Sequence, residues 1–275
     1  MTSASDRPAQ SRVEIVALLD RHGLRPRKRL GQHFLADPNI VERIVRLAEL
    51  SPGDRVLEVG AGTGTLTRAL AATGATVVAY EVDAELRPVL EETLSDCDVD
   101  LRFEDVTRVD LPVDPTEGPW TLVANLPYNV GTSLVLDLLR STPPIERFVV
   151  MVQSEVGDRL AATPGSKTYG LPSVVAQLHA DVKAGFRVPP QVFFPAPDVD
   201  SLVVVLERRQ APPRTEAAIE MAAAAFNQRR KMLRRSLVPV LVDPEAVLEA
   251  AGIDPTSRAE ELAPGDYLRL AEAVA

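Results

Sequence analysis

The sequence has 275 residues, of which 45% are hydrophobic, so it is long enough for one large domain with a core and a second small domain. Its single cysteine, Cys97, excludes an internal disulfide framework, and one cysteine with three histidines offers no metal cluster. No stretch reaches the ~20 apolar residues of a membrane span, and the first ten residues contain no apolar segment. These features predict a cytoplasmic protein that works without a metal.

The net charge is −9 at pH 7, which argues against general adhesion to polyanions. The basic residues are nevertheless concentrated, because nine of the 30 lie in two short windows. One window holds Arg25, Arg27, Lys28 and Arg29, and the other holds Arg229, Arg230, Lys231, Arg234 and Arg235. Two local basic surfaces on an acidic protein indicate selective docking to a folded RNA.

A short helix is predicted over residues 13–20, before the first basic window. This window runs directly into Gln32, His33, Phe34 and Leu35, and the mixture of cations, amide and aromatic ring indicates a lid more than a solvated tail. A second helix is predicted to begin after Asp37, with Pro38 in its first position.

A glycine-rich turn follows the first predicted strand, residues 55–59. The run Gly60-Ala61-Gly62-Thr63-Gly64 lies between that strand and a predicted helix over 65–72, where glycines let the backbone approach a ligand. The next predicted strand, 76–80, ends at Glu81, about 20 residues after Gly60, where a carboxylate binds ribose hydroxyls in nucleotide-binding sheets. No Gly-Lys-Ser/Thr follows the loop, so a nucleoside-bearing cofactor is favoured over a phosphate-bearing one.

Two more polar side chains follow predicted strands. Asp105 follows the strand over 100–103, and it can either accept from an adenine amine or form a simple turn. Asn125 ends the apolar strand over 120–124 and is followed by Leu126, Pro127 and Tyr128. The amide oxygen and the Leu126 carbonyl can accept both hydrogens of an adenine amine, and Tyr128 can stack on the base. Taken alone, these residues also fit an ordinary turn after a strand.

The remaining pattern predicts a sheet followed by helices. A helix is expected over 133–139, a strand over 148–152, helices from 153 and over 169–179, an ordered loop over 186–199, and a last strand over 201–206 that closes the sheet. From residue 214 the pattern is helical, including 227–238. The predicted division is an N-terminal extension over 1–26, a catalytic domain over 27–210 and a helical RNA-binding domain over 211–275.

Several motifs resemble, in order and spacing, those of the ribosomal RNA adenine dimethylases, and best those of the bacterial enzymes that modify small-subunit (16S) rRNA. The matching motifs are LGQHFL at 30–35, VLEVGAGTGTLT at 56–67, NLPYN at 125–129, YGLPSV at 169–174, FFPAPDVDS at 193–201 and FNQRRKMLRRSL at 226–237. The resemblance covers the chain from about residue 27 to its end. Ser154 and Asp198 depart from it, since relatives commonly carry lysine there.

This resemblance implies an α/β fold: a Rossmann-like class I methyltransferase sheet with helices on both faces, plus a small all-α C-terminal domain. It implies an S-adenosylmethionine-dependent monomer that dimethylates N6 of two adjacent adenosines in the 3′-terminal hairpin of 16S rRNA, during ribosome biogenesis. The implied cofactor contacts are His33, Leu35, Gly60, Glu81, Asp105 and Asn125. The target adenine is expected between Tyr128 and Phe193, with Asn125, Leu126 and Pro127 at its amine, and the two basic windows are expected on RNA.

Three alternatives remain open from the sequence. The large-subunit (23S) rRNA methylases of macrolide resistance share the fold and the strand-end motif, but FNQRRKMLRRSL fits them poorly. DNA or protein amine methyltransferases use a related motif, usually with proline in place of Leu126. A non-catalytic RNA-binding assembly factor is the third, and that interpretation expects degraded cofactor positions, whereas Gly60, Glu81, Asp105 and Asn125 are intact.

Overall fold

The fold is built on a seven-stranded sheet in a computed structural model that describes residues 9–114, 116, 118–128, 131–142 and 144–274. The strands, in chain order, are β1 (Phe34–Leu35), β2 (Arg55–Val59), β3 (Thr76–Tyr80), β4 (Val99–Arg102), β5 (Trp120–Asn125), β6 (Ile145–Gln153), β7 (Ala180–Val188), β8 (Phe193–Phe194) and β9 (Ser201–Arg208). The large sheet has the order β4-β3-β2-β5-β6-β9-β7, while β1 and β8 form a separate antiparallel pair.

Within the large sheet, the strands β2 to β6 pair in parallel, whereas β6 pairs with β9 in the antiparallel direction. The chain builds outward from β2 to β4 and then returns to place β5 on the other side of β2. The sheet therefore has its topological switch point between β2 and β5. In open α/β sheets, ligands bind at such a point, outside the carboxyl ends of the strands.

Both faces of the sheet are covered by helices. The first face packs against α1 (Arg12–Arg21), α2 (Pro38–Ala48), α3 (Thr65–Ala71) and α4 (Arg87–Thr93), whose apolar residues share one core cluster with alternate strand residues. On the opposite face lie α5 (Gly131–Ser141) and α6 (Ser154–Leu160). There a Cβ on Gly131 would lie 3.3 Å from Val152, and one on Gly157 would lie 2.7 Å from Leu202. The predicted sheet with helices on both faces is confirmed.

By its internal contacts the chain divides into two units. The first takes the described residues up to Gly157 together with Lys183–Glu207, and the second takes Asp158–Val182 and the chain from Arg208 onward. The predicted boundary between residues 210 and 211 differs from this division in the segment 158–182, and it stays a prediction. Residues 1–8 of the predicted N-terminal extension lie outside the described residues.

The second unit is mainly helical, with α7 (Leu171–His179), α8 (Thr215–Asn227), α9 (Leu233–Ser236), α10 (Pro244–Ala250) and α11 (Pro264–Ala273). Phe226 lies between Tyr169 and Tyr267, with ring centroids 6.0 and 6.4 Å apart. Both tyrosines are buried, and their hydroxyls donate to the carbonyls of Leu262 and Ala259 at 2.9 and 2.8 Å. Buried hydroxyls that find acceptors do not destabilise the core.

Three expectations about the elements are wrong. Residues 180–188 form the strand β7, so Phe186 lies in a strand and not in a loop. The strand β9 lies between β6 and β7, so it does not close the sheet at its edge. The predicted helix over 227–238 breaks into a turn and the four-residue α9, because the Leu233 and Arg234 amides donate to the carbonyls of Ser257 and Pro255.

Within the described part of the chain, no helix has both the length and the apolar character that crossing a membrane requires.

Candidate active site

A cavity of about 260 Å³ lies at the carboxyl ends of the strands, in the first unit. Its walls come from the ends of β2, β3 and β5, from the segment after β4, and from residues 29–35. The predicted site residues that line it are Arg29, His33, Leu35, Gly60, Glu81, Asp105, Asn125, Leu126, Pro127 and Tyr128. Residues that are far apart in the sequence are therefore brought to one cavity.

The glycine-rich turn forms the floor of this cavity next to β2. Gly60 has a φ of +84°, and its N–H donates to the Tyr80 carbonyl at 2.8 Å. Gly62 has a φ of +59°, and a Cβ there would lie 3.1 Å from the Phe34 ring. Positive φ favours glycine at both positions, and at Gly62 the close contact with Phe34 adds to this preference.

Glu81 follows β3 and lies at the buried side of the cavity, with 5% of its surface exposed. The Gly62 N–H donates to Oε2 and the Asp83 N–H donates to Oε1, both at 2.8 Å. A carboxylate oxygen can accept more than one hydrogen bond, so both oxygens can still accept from a diol. Burial raises the pKa of Glu81 and the neighbouring Asp83 charge adds to this, whereas hydrogen bonds from the backbone at Asp83, Gly62 and Val82 lower it.

Glu58 is a second buried acid in the cavity wall, and the sequence motifs do not single it out. It is 1% exposed, and neither of its carboxylate oxygens has a hydrogen-bond partner among the described residues. Burial raises its pKa to about 8, against the neighbouring Thr67 hydroxyl, which lowers it, while the nearby Glu81 charge adds to the rise. The available signal was a charged residue between apolar neighbours in β2, because such a residue is rarely buried without a partner.

The acids of this cavity fit a cationic ligand. Glu58 and Glu81 are both buried, and no cation pairs with either within the described residues. S-adenosylmethionine carries a sulfonium and an ammonium group, whose positive charges would favour ionised carboxylates nearby. Among the described residues no group of three or more His, Cys, Asp and Glu side chains is arranged to hold a metal.

Asp105 follows β4, where it forms a turn and also lines the cavity. Its Oδ1 accepts from the N–H and the hydroxyl of Thr107, at 3.0 and 2.7 Å, so it does form a turn. Its Oδ2 lies 3.3 Å from Arg108 Nε, and the residue also lines the cavity. The Thr107 hydrogen bonds hold the pKa of Asp105 below its usual value, so the carboxylate is ionised and able to accept.

Asn125 ends β5, and its side-chain amide has a defined orientation. Nδ2 donates to the His33 carbonyl at 3.0 Å, and a carbonyl can only accept, so the nitrogen must face His33. The oxygen Oδ1 is then on the other side, and it has no hydrogen-bond donor among the described residues. The Leu126 carbonyl likewise accepts no hydrogen bond from the described residues. Asn129 and Val130, at the end of the same motif, lie outside the described residues.

Tyr128 is half-buried at the cavity wall, where its hydroxyl lies 2.7 Å from the Ser201 hydroxyl. The His33 imidazole stacks on its ring, with centroids 5.6 Å apart and an interplanar angle of 23°. Phe193 is not brought to the cavity. It is fully buried, and in β8 it pairs with Leu35 of β1, so its ring offers no face to a base in this structure.

The first basic window is partly engaged by acids. Arg25 pairs with Asp20, and Arg27 pairs with Asp83 and Glu85, so the Arg27 guanidinium is not free to bind phosphate. Arg29 lines the cavity and, like Lys28, is exposed.

The second basic window is in the second unit, and acids pair with only some of its cations. Arg229 pairs with Glu260 at 2.6 Å, and Arg234 pairs with Glu245 at 2.9 Å. The other three cations have no ion pair with any described residue and are exposed: Arg230, Lys231 and Arg235. Because residues 228–232 are not helical, Arg230 lies outside the short helix α9 that contains Arg234.

Known proteins are similar to this chain in sequence and in fold. The model of the family described as ribosomal RNA adenine dimethylase matches residues 23–275. The chain belongs to the ribosomal RNA adenine dimethylase family. The family expected from the sequence motifs is thereby confirmed, and with it an rRNA-modifying methyltransferase.

Curated relatives extend over nearly the whole chain. The ribosomal RNA small subunit methyltransferase A of Kineococcus radiotolerans is 45% identical over 92% of this chain and 88% of its own length. The protein of the same name from Nocardia farcinica is 44% identical over 98% of this chain and 97% of its own length.

Among solved structures, the 23S rRNA methyltransferase ErmE superimposes with a TM-score of 0.71 at 29% identity, covering 87% of this chain and 98% of its own. A dimethyladenosine transferase from Plasmodium falciparum superimposes with a TM-score of 0.76 at 22% identity, over 86% and 96% of the two chains, and this likeness shows the fold alone.

The unpartnered Glu58 carboxyl predicts a pH dependence of stability. An unfolded glutamate ionises near pH 4.5, whereas folded Glu58 stays protonated up to about pH 8, so the folded state binds more protons between these values. Stability is therefore lost as pH rises, by about 1.4 kcal/mol per pH unit at most. Glu58→Gln abolishes this loss, so the variant should gain stability over the wild type between pH 6 and pH 8.

Urea denaturation at several pH values measures this difference, with the exposed Glu42→Gln as the control. Parallel pH dependences for the wild type and Glu58→Gln would show that the Glu58 carboxyl is ionised in the folded protein.

Proposed function

We propose that this protein uses S-adenosylmethionine to dimethylate N6 of two adjacent adenosines in the 3′-terminal hairpin of 16S rRNA. The observation that carries the proposal is the Asn125 amide, whose nitrogen is held by the His33 carbonyl while its oxygen is left for an amine. The names of the curated relatives support small-subunit rRNA as the substrate.

The amine of adenine is a poor nucleophile, because its lone pair is delocalised into the ring. Two acceptors at its hydrogens favour a pyramidal nitrogen with a localised lone pair, and Asn125 Oδ1 and the Leu126 carbonyl serve as these acceptors. Pro127 holds the following φ near −65° and keeps the carbonyl accessible. S-adenosylmethionine, when bound, supplies an electrophilic methyl group on its sulfonium. Acceptors placed in advance cost no reorganisation during the reaction.

The remaining cavity residues bind and orient the two substrates. Glu81 accepts from ribose hydroxyls, Asp105 accepts from the cofactor adenine, and the Gly60 turn lets the cofactor approach the backbone. Tyr128 provides the stacking face for the extruded adenine, worth roughly 1–3 kcal/mol. We assign stacking to Tyr128 alone, because the Phe193 ring becomes accessible only if the β1–β8 pair opens.

The proposed partner is the rRNA within the small ribosomal subunit, bound by a monomer during ribosome biogenesis in the cytoplasm. The 23S rRNA methyltransferases are the second candidate class, supported by the superposition with ErmE at 29% identity. The curated small-subunit relatives at 45% and 44% identity favour the first. A non-catalytic assembly factor is disfavoured, since the acceptors and the buried acids at the cavity are all present.

Replacing the amide tests the chemical part of the proposal. Asn125→Ala should lower the rate of methyl transfer by about 10²–10³, because one preorganised acceptor at the reacting nitrogen is lost. Single-turnover methylation of unmodified small-subunit particles measures this rate, and Asn39→Ala, at an exposed asparagine in α2, is the matched control. A rate close to that of the wild type would make the strand-end motif structural.

The free cations of the second basic window predict the salt dependence of RNA binding. Arg230→Ala with Arg235→Ala should weaken binding to small-subunit particles and reduce the slope of log affinity against log salt by about 2, one for each phosphate that is no longer neutralised. Filter binding between 50 and 200 mM salt, roughly the range in which such ion pairs respond, measures the slope. Arg234→Ala is the control, since Arg234 already pairs with Glu245. An unchanged slope in the double variant would remove this surface from the RNA site.

A further inference from the structure

Asp83 connects two parts of the site that lie far apart in the sequence. Its carboxylate is almost fully buried, with 4% of the side chain exposed. Oδ1 accepts from Arg27 Nη1 and Oδ2 accepts from Gln32 Nε2, both at 2.8 Å. Neither contact follows from the sequence motifs, because the partners lie 56 and 51 residues away.

Both partners belong to the lid segment, which we define as residues 27–36. The segment is closed on itself, since the Arg27 N–H donates to Gln32 Oε1 at 2.8 Å around a short 3₁₀ turn, Lys28–Leu30. Residues 29–35 of this segment line the cavity. Asp83 therefore holds the first half of the segment that covers the cofactor cavity.

The second half of the lid segment is held at the other side of the cavity. The His33 carbonyl accepts from Asn125 Nδ2 at 3.0 Å, and His33 Nδ1 lies 2.7 Å from the Pro195 carbonyl. The Ala36 N–H donates to the Val192 carbonyl at 2.7 Å. The segment thus has one attachment beside the proposed ribose site and another beside the proposed methyl acceptor.

Asp83 is also joined to the ribose carboxylate through its own backbone. Its N–H donates to Glu81 Oε1 at 2.8 Å, so the group that holds the lid segment also orients Glu81. Glu85 is the second acid on Arg27, but it differs in being 59% exposed. An exposed ion pair contributes little, whereas a buried and fully bonded carboxylate has a defined position.

We propose that Asp83 is a positioning residue that holds the lid segment closed over the cofactor through Arg27 and Gln32, and so sets how slowly the cofactor leaves. The proposal rests on the proposed function, because it identifies the cavity with the S-adenosylmethionine site. Trypsin cleaves after Arg27, Lys28 and Arg29 only when the chain there is extended. In the closed lid segment these bonds lie in or beside the 3₁₀ turn Lys28–Leu30, so opening of the segment speeds their cleavage. Cleavage therefore reports the position of the lid segment even in the protein alone.

The test compares three variants. Asp83→Asn keeps the shape and an oxygen that can still cap the Glu85 N–H, but it removes the charge and the acceptor for Gln32. Gln32→Ala removes the same contact from the lid side and leaves Asp83 and Glu81 unchanged. Glu85→Gln is the matched control, since it removes the other carboxylate on Arg27.

We expect trypsin to cleave the lid segment of Asp83→Asn and of Gln32→Ala about tenfold faster than that of the wild type. Each variant loses a charge-assisted hydrogen bond that keeps the segment closed, and a loss of about tenfold is typical of one such bond. Release of labelled S-adenosylmethionine in a chase experiment should accelerate to a similar degree, raising KM for the cofactor with kcat nearly unchanged. The effects of the two substitutions should not add in the double variant. Glu85→Gln should stay within about twofold of the wild type in both assays.

Cleavage of Asp83→Asn and Gln32→Ala at the rate of Glu85→Gln would overturn the proposal. So would a loss of cofactor affinity with no change in cleavage, because that result would mean that Asp83 acts only on Glu81. If the wild type fails to bind S-adenosylmethionine at all, the proposed function fails, while the cleavage assay of the protein alone still decides whether Asp83 holds the lid segment.

Discussion

The hydrogen bond from Asn125 to the His33 carbonyl determines how the reactive end of the cavity is arranged. It fixes the amide so that its oxygen is presented to the cavity, and it ties the lid segment to the end of β5. The position of Asn125 depends in turn on the parallel pairing of β5 with β2 and β6. The same pairing brings the Gly60 turn beside β5. A Cβ on Gly60 would lie 3.6 Å from the Asn125 carbonyl.

The carboxyl groups of the cavity differ in burial, and their pKa values differ with it. Glu58 and Glu81 are buried acids whose pKa values are raised by loss of solvent, while Asp105 is partly exposed and its pKa is lowered. Carboxyl groups with raised pKa values near one another favour a bound cation over an anion. Under the proposed function, the acidic cavity would bind a cationic cofactor while separate basic surfaces would bind RNA, so a net charge of −9 does not argue against an rRNA-modifying enzyme.

The parts of the site that were predicted are those that follow apolar strands. Glu81 and Asn125 could be identified because continuous apolar or β-branched runs end at them, and a parallel sheet brings such ends to one edge. The strand β7 was missed because its buried and exposed residues follow no regular alternation and it contains Gly185. Edge strands that are largely exposed have this weak signal.

Tertiary contacts explain the other differences from the sequence-based predictions. The basic residues after Asn227 favour a helix locally, but the backbone there bonds to residues 255–257 instead. Asp83 could not be found from spacing, because its role depends on two side chains in the lid segment. Phe193 carries the expected motif, yet its ring is buried by the pairing of β8 with β1. Local propensity does not contain this information.

The most direct test of the account is the identity of the methylated nucleotides. Purified protein would be incubated with labelled S-adenosylmethionine and either small-subunit particles or large-subunit rRNA that lacks the modification, and the digested RNA analysed by mass spectrometry. The account predicts N6,N6-dimethyladenosine at two adjacent positions of the 3′-terminal hairpin of 16S rRNA, and none in the large-subunit RNA. Methylation confined to 23S rRNA, or bound cofactor without any transfer, would contradict it.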